Sequence, residues 1–156
     1  MNRLAVAIDS NLLLLLVVGM ASREYIRKHK RLQEFTSDDY DLLQDQLSVA
    51  TEIIVTPNTL TETSNLIDHI ADPARKHIYD LLRELLRSSS SAEVYIPSQS
   101  AAERAELPRL GLTDCALLDV CSGGTPLITV DLKLYLAAIA AGDKALNFNH
   151  LRDSRI

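Results

Sequence analysis

Apolar residues in this chain fall into short blocks whose period switches between that of a strand and that of a helix. The stretch Arg3–Ile8 is brief, apolar and partly β-branched, as expected of a strand buried on both faces. After the polar step Asp9-Ser10-Asn11, the unbroken run Leu12–Val18 predicts a buried helix from Asn11 to about Met20. That run is far shorter than the ~20 apolar residues needed to cross a bilayer. The polar step ahead of it also argues against a secretory leader. Further strands are expected at Glu52–Thr56, Glu93–Ile96, Leu127–Val130 and Ala145–Phe148.

Helices are expected between the strands. Thr36 or Ser37 caps one that carries Asp38, Asp39 and Asp41 near its start, where the helix dipole favours acids. Thr56-Pro57 begins another, running to about Ile70, because a capping Thr precedes a Pro suited to the first helical position. Asp72-Pro73 repeats that signal before a helix whose buried face is Ile78, Leu81, Leu82, Leu85 and Leu86. Ser98 opens a short helix that ends before Pro108. Thr113 caps one that starts at Asp114 and stops at Gly123-Gly124. The last expected helix is Leu132–Ala141, terminated by Gly142. Strands alternating with helices predict an α/β fold with a central parallel five-stranded sheet covered on both sides. The expectation is one domain over residues 1–156.

Charge then sharpens the picture. There are 16 Lys and Arg against 21 Asp and Glu, a net charge of −5. Acids stand where strands end or helices begin: Asp9 in AVAIDSN, Glu62 in TPNTLTE, Asp114 in LGLTD and Asp131 in LITVD. Without these four the balance is 16 minus 17, or −1, so the candidate site accounts for most of the acidity. An acidic chain is poorly suited to tight unspecific DNA binding, but bound divalent ions would offset the site. With no Trp and only 4% aromatic residues, a broad base-stacking surface is not expected. Cys115 and Cys121 lie on different sides of one helix at roughly 100° per residue. They read as small core residues without a disulfide, which fits a reducing cytoplasm.

In open α/β sheets, ligands bind beyond the carboxyl ends of the strands, where strand order reverses. With strand order 3-2-1-4-5, Asp9 and Asp131 would stand side by side at that reversal. Asp114 and Glu62 would face the same crevice from neighbouring helices. Carboxylates so close cannot all remain ionised without a counter-charge. Hard oxygen donors suit Mg²⁺ or Mn²⁺. His29, His69, His77 and His150 lack ligand spacing with one another or with either Cys, so no zinc set is expected. Taken singly, each acid also has an ordinary explanation: a first-turn dipole residue for Asp114, a solvated helix acid for Glu62, an N-cap for Asp131. Asp9, directly after a buried strand, is the sharpest of the four.

Together these contexts resemble the PIN-domain family of metal-dependent ribonucleases, and within it VapC-like toxins. AVAIDSNLLL is similar to that family's first strand and leading Asp, and TPNTLTETSNL to its helix with the Glu. LGLTDCALLD is similar to its third acidic motif, and LITVDLKLYLAAIAAGDKALNFNHLR to its fourth acid and closing strand. No motif is specific alone; their order and spacing are. The resemblance implies a PIN-like three-layer α/β/α fold in which Asp9, Glu62, Asp114 and Asp131 hold one or two Mg²⁺ or Mn²⁺ ions. It implies hydrolysis of RNA phosphodiesters to 5′-phosphate and 3′-hydroxyl ends. It also implies a cytoplasmic toxin of a type II toxin–antitoxin pair, with an antitoxin protein as partner, a homodimeric assembly and no membrane association.

Several neighbours are candidates for supporting roles. Ser10 and Asn11 follow Asp9 and could bond to phosphate or to the metal's ligands, although helix capping accounts for them equally. Thr129 could orient Asp131 or a metal-bound water. Asn65 shares a helix face with Glu62 and could support it. Asp119 points away and reads as structural. The chain departs from a compact toxin at an enlarged connection, Arg23–Asp45, which carries Arg23, Arg27, Lys28, Lys30 and Arg31. Arg23, Arg27, Lys30 and Arg31 could share one helical face that grips RNA backbone near the metal site; a solvated charged face is the alternative. Two other functions are open. A PIN scaffold could bind protein or RNA without cleaving. A haloacid-dehalogenase-like phosphohydrolase is a weaker fit, because it wants a second Asp where Asn11 stands.

Overall fold

The computed structural model of the protein describes residues 4–155. Its strands are β1 (Ala5–Ile8), β2 (Glu52–Val55), β3 (Ser91–Glu93), β4 (Leu127–Thr129) and β5 (Ala145–Asn147). Every pairing is parallel, in the order β3-β2-β1-β4-β5. The helices are α1 (Ser10–Ala21), α2 (Arg23–Lys28), α3 (Ser37–Leu47), α4 (Pro57–Ile67), α5 (Ala74–Arg87), α6 (Ser98–Ala102), α7 (Leu107–Leu110), α8 (Leu112–Ser122), α9 (Leu132–Ala140) and α10 (Phe148–Asp153). The expected start of the first strand, Arg3, lies outside the described residues.

The pleat of each central strand sorts its side chains between two cores. Ile8, Ile53, Val55 and Ile128 join one core with residues of α1, α3 and α5. Ala7, Ile54 and Leu127 join the other with residues of α8 and α9. The α/β fold with its parallel sheet flanked by helices is therefore as expected. Helix α1 is apolar all round because it is enclosed all round: Leu12 to Val18 are all buried. At Gly19 an added Cβ would sit 2.2 Å from the Tyr40 ring, so α3 packs directly on the α1 backbone there. No helix among the described residues is long and apolar enough to cross a membrane. Cys115 and Cys121 are buried and unpaired. Burial raises both thiol pKa values, that of Cys121 to about 12, so neither is a nucleophile at neutral pH.

Several boundaries differ from the sequence reading. β3 pairs through Ser91–Glu93 rather than Glu93–Ile96. The apolar alternation responsible for that expectation is real, since Ala92, Val94 and Ile96 all pack on the second core. The chain stays extended beyond the paired segment, and Tyr95, on the opposite side of the pleat, is 75% exposed. The short helix opened by Ser98 ends before Pro108, as expected, but Pro108 itself sits in the first turn of a further helix, α7, that was not expected. α8 begins after Gly111, whose φ is +88°, so Thr113 lies within the first turn and is not a cap. Asp72 does not cap α5; it pairs with Arg75 at 3.2 Å, while Pro73 occupies the cap position without a side-chain bond. Leu86 is 41% exposed and leaves the α5 core face to Ile78, Leu82 and Leu85. Phe148 ends no strand: it begins α10, capped by the Asn147 side chain accepting from the Asn149 N–H at 2.9 Å.

Candidate metal centre

The carboxyl ends of β1 and β4 lie side by side where strand order reverses, and the acids gather there. Asp9 follows β1, caps α1 and is only 5% exposed. Its Oδ1 accepts from the Leu12 N–H at 2.9 Å. Its Oδ2 accepts from the Val130 N–H at 3.0 Å and from the Thr129 hydroxyl. Asp9 thus clamps β1 to β4 across the reversal. Burial pushes its pKa up and the nearby Asp131 charge adds to that; the three donors oppose the shift without cancelling it.

Asp131 caps α9, its Oδ1 accepting from the Leu134 N–H at 3.1 Å. Thr129 serves both acids, because its hydroxyl oxygen also accepts the Asp131 N–H at 2.9 Å. The expected orienting role of Thr129 is therefore exerted on the Asp131 backbone and on Asp9. Glu62, exposed on α4, accepts from the Ser10 hydroxyl at 3.1 Å. Asp114, half-buried in the first turn of α8, has no hydrogen-bond donor among the described residues. Its pKa is raised to about 7, first by burial, then by the charges of Asp131, Asp9 and Glu62.

Asp9, Glu62, Asp114 and Asp131 line one cavity of about 190 Å³, together with Ser10 and Asn11. Its other walls are Leu110, Gly111, Leu112 and Thr113, the LGLT that precedes Asp114, to which the sequence reading gave no role in the site. The signal for them was Gly111, the residue whose positive φ turns the chain into α8. No Lys, Arg or His lines the cavity.

The donor set is hard and anionic, and Asp114 has no internal partner, which suits a divalent cation. Among the described residues, however, no three His, Cys, Asp or Glu side chains form a closed cage. The arrangement fits an ion gripped directly by one or two carboxylates and by the others through water, which is how Mg²⁺ usually binds. Asp114, with no donor among the described residues, is the least committed of the four; Asp131, Glu62 and the Asp9 Oδ1, each accepting a single hydrogen bond there, keep lone pairs for an ion or its waters.

The remaining candidates fall elsewhere. Asn65 is exposed on α4 and does not line the cavity. Asp119 binds Arg104 and Ser100, a structural role as expected. The shared basic face of Arg23, Arg27, Lys30 and Arg31 does not form, because α2 ends at Lys28. There the buried His29 ring accepts the Arg31 N–H at 3.1 Å on Nδ1 and approaches the Ile67 carbonyl with Nε2 at 3.4 Å. Arg23 is paired with Asp41 and Arg27 with Glu24. Lys28, Lys30 and Arg31 are exposed. The 12 residues of α1 separate this stretch from Asp9 by about 18 Å. The basic residues therefore lie at the far ends of α1 and α4, away from the acids.

No family model matches the chain, and no curated protein is similar enough to match it. The fold and the convergence of the acids thus stand on the chain's own sequence and geometry.

Proposed function

We propose that the protein is a Mg²⁺- or Mn²⁺-dependent endoribonuclease of the PIN-domain kind, acting in the cytoplasm as the toxin of a toxin–antitoxin pair. The observation that carries the reading is the meeting of Asp9, Glu62, Asp114 and Asp131 in one small cavity without a basic side chain. The strand order 3-2-1-4-5 and the sequence contexts of the acids support it further.

A divalent ion bound there supplies an activated water and offsets the charge that develops on the phosphodiester. The chain's own groups set the geometry. Asp9 is fixed by three donors and holds β1 against β4. Asp131 is aimed by the Leu134 N–H, and Ser10 restrains Glu62. Asp114, whose carboxyl pKa is held up at about 7 by burial and the neighbouring acids, would be a ligand that a bound cation keeps ionised. Ser10 and Asn11 open α1 at the cavity wall, within reach of a substrate phosphate.

Purified protein should cleave RNA with Mg²⁺ or Mn²⁺ and not with EDTA. Asp9→Asn should reduce cleavage by at least about 10²-fold, as loss of a preorganised charged group in a metal site does. Cleavage that survives both treatments rejects the mechanism. RNA binding without cleavage under any divalent ion would favour a non-catalytic PIN scaffold, a reading consistent with the lack of a closed three-ligand cage. Growth arrest on expression, relieved by a small protein encoded beside it, tests the toxin assignment. Sedimentation of the purified protein tests the homodimer.

A further inference from the structure

A second cavity adjoins the acidic one and shares two of its walls, Glu62 and Thr113. It measures about 320 Å³ and opens beyond the carboxyl ends of β2 and β3. Tyr95 stands over it, with Asn58, Thr61 and Ser98 around it. None of these four side chains makes a hydrogen bond to any of the described residues. Among the described residues Tyr95 is the only exposed aromatic ring; Phe35, Phe148 and Tyr40 are buried and Tyr25, Tyr79 and Tyr135 partly so. The pleat explains its position: Val94 and Ile96 turn into the core, and Tyr95 turns out.

From this we infer that the cavity is a subsite for one unpaired base of an RNA strand, next to the phosphate held at the acids, with the base stacked on the Tyr95 ring. The inference rests on the nuclease reading above. The lining selects a base over a phosphate. It carries no Lys or Arg, and its one carboxylate, Glu62, would repel an anion. A base presents a neutral π-face for Tyr95 and a polar edge for the Asn58 amide and the Thr61 and Ser98 hydroxyls. The shared walls set the order along the strand, since a chain crossing from one cavity to the other passes Glu62 and Thr113. One ring accommodates one base, consistent with a chain too poor in aromatics for an extended stacking surface.

The test uses the full chain, Mg²⁺ or Mn²⁺, and a single-stranded oligoribonucleotide that it cleaves, scanned with single abasic nucleotides. Tyr95→Ala should lower kcat/KM about tenfold, the low end for losing one base–aromatic stack. Tyr95→Phe should stay near wild type, and both should melt like the parent because Tyr95 is exposed. One abasic position beside the cut should carry the same penalty in the parent and none in Tyr95→Ala. The same sequence in a duplex should show no dependence on Tyr95. If the parent cleaves but Tyr95→Ala cleaves equally well, or Tyr95→Phe falls as far as Tyr95→Ala, the subsite is overturned and the nuclease reading stands. If the parent cleaves no RNA, both fall together.

Discussion

Asp114 is the residue under most electrostatic stress. It is half-buried, faces three other carboxylates and has no donor of its own, so it holds a proton up to about pH 7. The raised folded pKa means that the native state binds more protons than the unfolded state between the ordinary carboxylate range and pH 7. Stability of the metal-free protein through this group therefore falls as pH rises across that window. Asp114→Asn removes the penalty. The variant should melt above the metal-free parent at pH 8, and the difference should vanish toward pH 4. Using the difference between the two proteins cancels His29, whose burial lowers its pKa and whose contribution runs the other way. Added Mn²⁺ should raise the Tm of the parent at pH 8 and leave that of Asp114→Asn nearly unchanged. A variant that melts with the parent at pH 8 would show that the acids do not act on one another. Asp9, Asp114 and Asp131 were legible because each follows a strand or stands in a first helical turn, and Glu62, in the second turn of α4, through its TPNTLTE context. The Asp9–Thr129 bond was not, because it spans 120 positions and exists only once β1 and β4 are neighbours.

At the scale of elements, helix starts decide where the site residues point. The sequence contains two kinds of start, and one misleads. Thr56 and Thr36 cap α4 and α3 through their hydroxyls, as their positions suggest. Thr113 looks the same on paper, yet α8 begins two residues earlier because Gly111 adopts φ +88°. Local propensity favours Thr as a cap, whereas the tight turn out of α7 needs glycine. The third strand starts earlier than its apolar alternation suggests: Val94 still donates its N–H to the Val55 carbonyl at 2.8 Å, but Val94 and Ile96 are only partly buried, and the ladder proper is carried by Ser91–Glu93. α10 went unseen because Phe148 reads as the apolar end of β5. Gly111→Ala tests the turn. An added Cβ meets nothing within 4 Å, so its cost is conformational; φ +88° with ψ 172° is a region held essentially by glycine, and the cost is about 1–3 kcal/mol. The strain falls three residues before Asp114. Mn²⁺ affinity by calorimetry should therefore drop along with a loss in Tm. Unchanged affinity would mean that the α8 start does not position Asp114.

Across the whole molecule, the α1-side core carries a lock that the sequence hid. Asp39 looked like one of three dipole acids at the start of α3. It is instead 2% exposed, accepts from the Thr36 N–H at 2.8 Å, and pairs with Arg152 at 3.2 Å and with Arg155. These contacts tie the C-terminal α10 region to α3, and Arg152 also lies over the Phe35 ring, 4.7 Å from its centroid. Burial works against the Asp39 charge, but the Thr36 N–H and the two guanidinium groups outweigh it and hold its pKa below the ordinary range. A depressed folded pKa contributes stability that is complete above the unfolded value and is lost as pH falls through the folded one. Asp39→Ala removes four hydrogen bonds from three donor residues but leaves arginines that can turn to water, so the loss should be about 2–3 kcal/mol. For a chain of this size that corresponds to a Tm lower by roughly 5–10 °C at pH 7. The deficit should hold at pH 5 and narrow below pH 4, as the parent protonates Asp39. Cleavage by the folded variant should remain, because neither Asp39 nor its two arginines line the acidic cavity. Thermal melts followed by circular dichroism at the three pH values check the first claim, and RNA cleavage below the melting range checks the second. A deficit that stays constant down to pH 3 would assign the loss to packing of α10 rather than to the ionised Asp39.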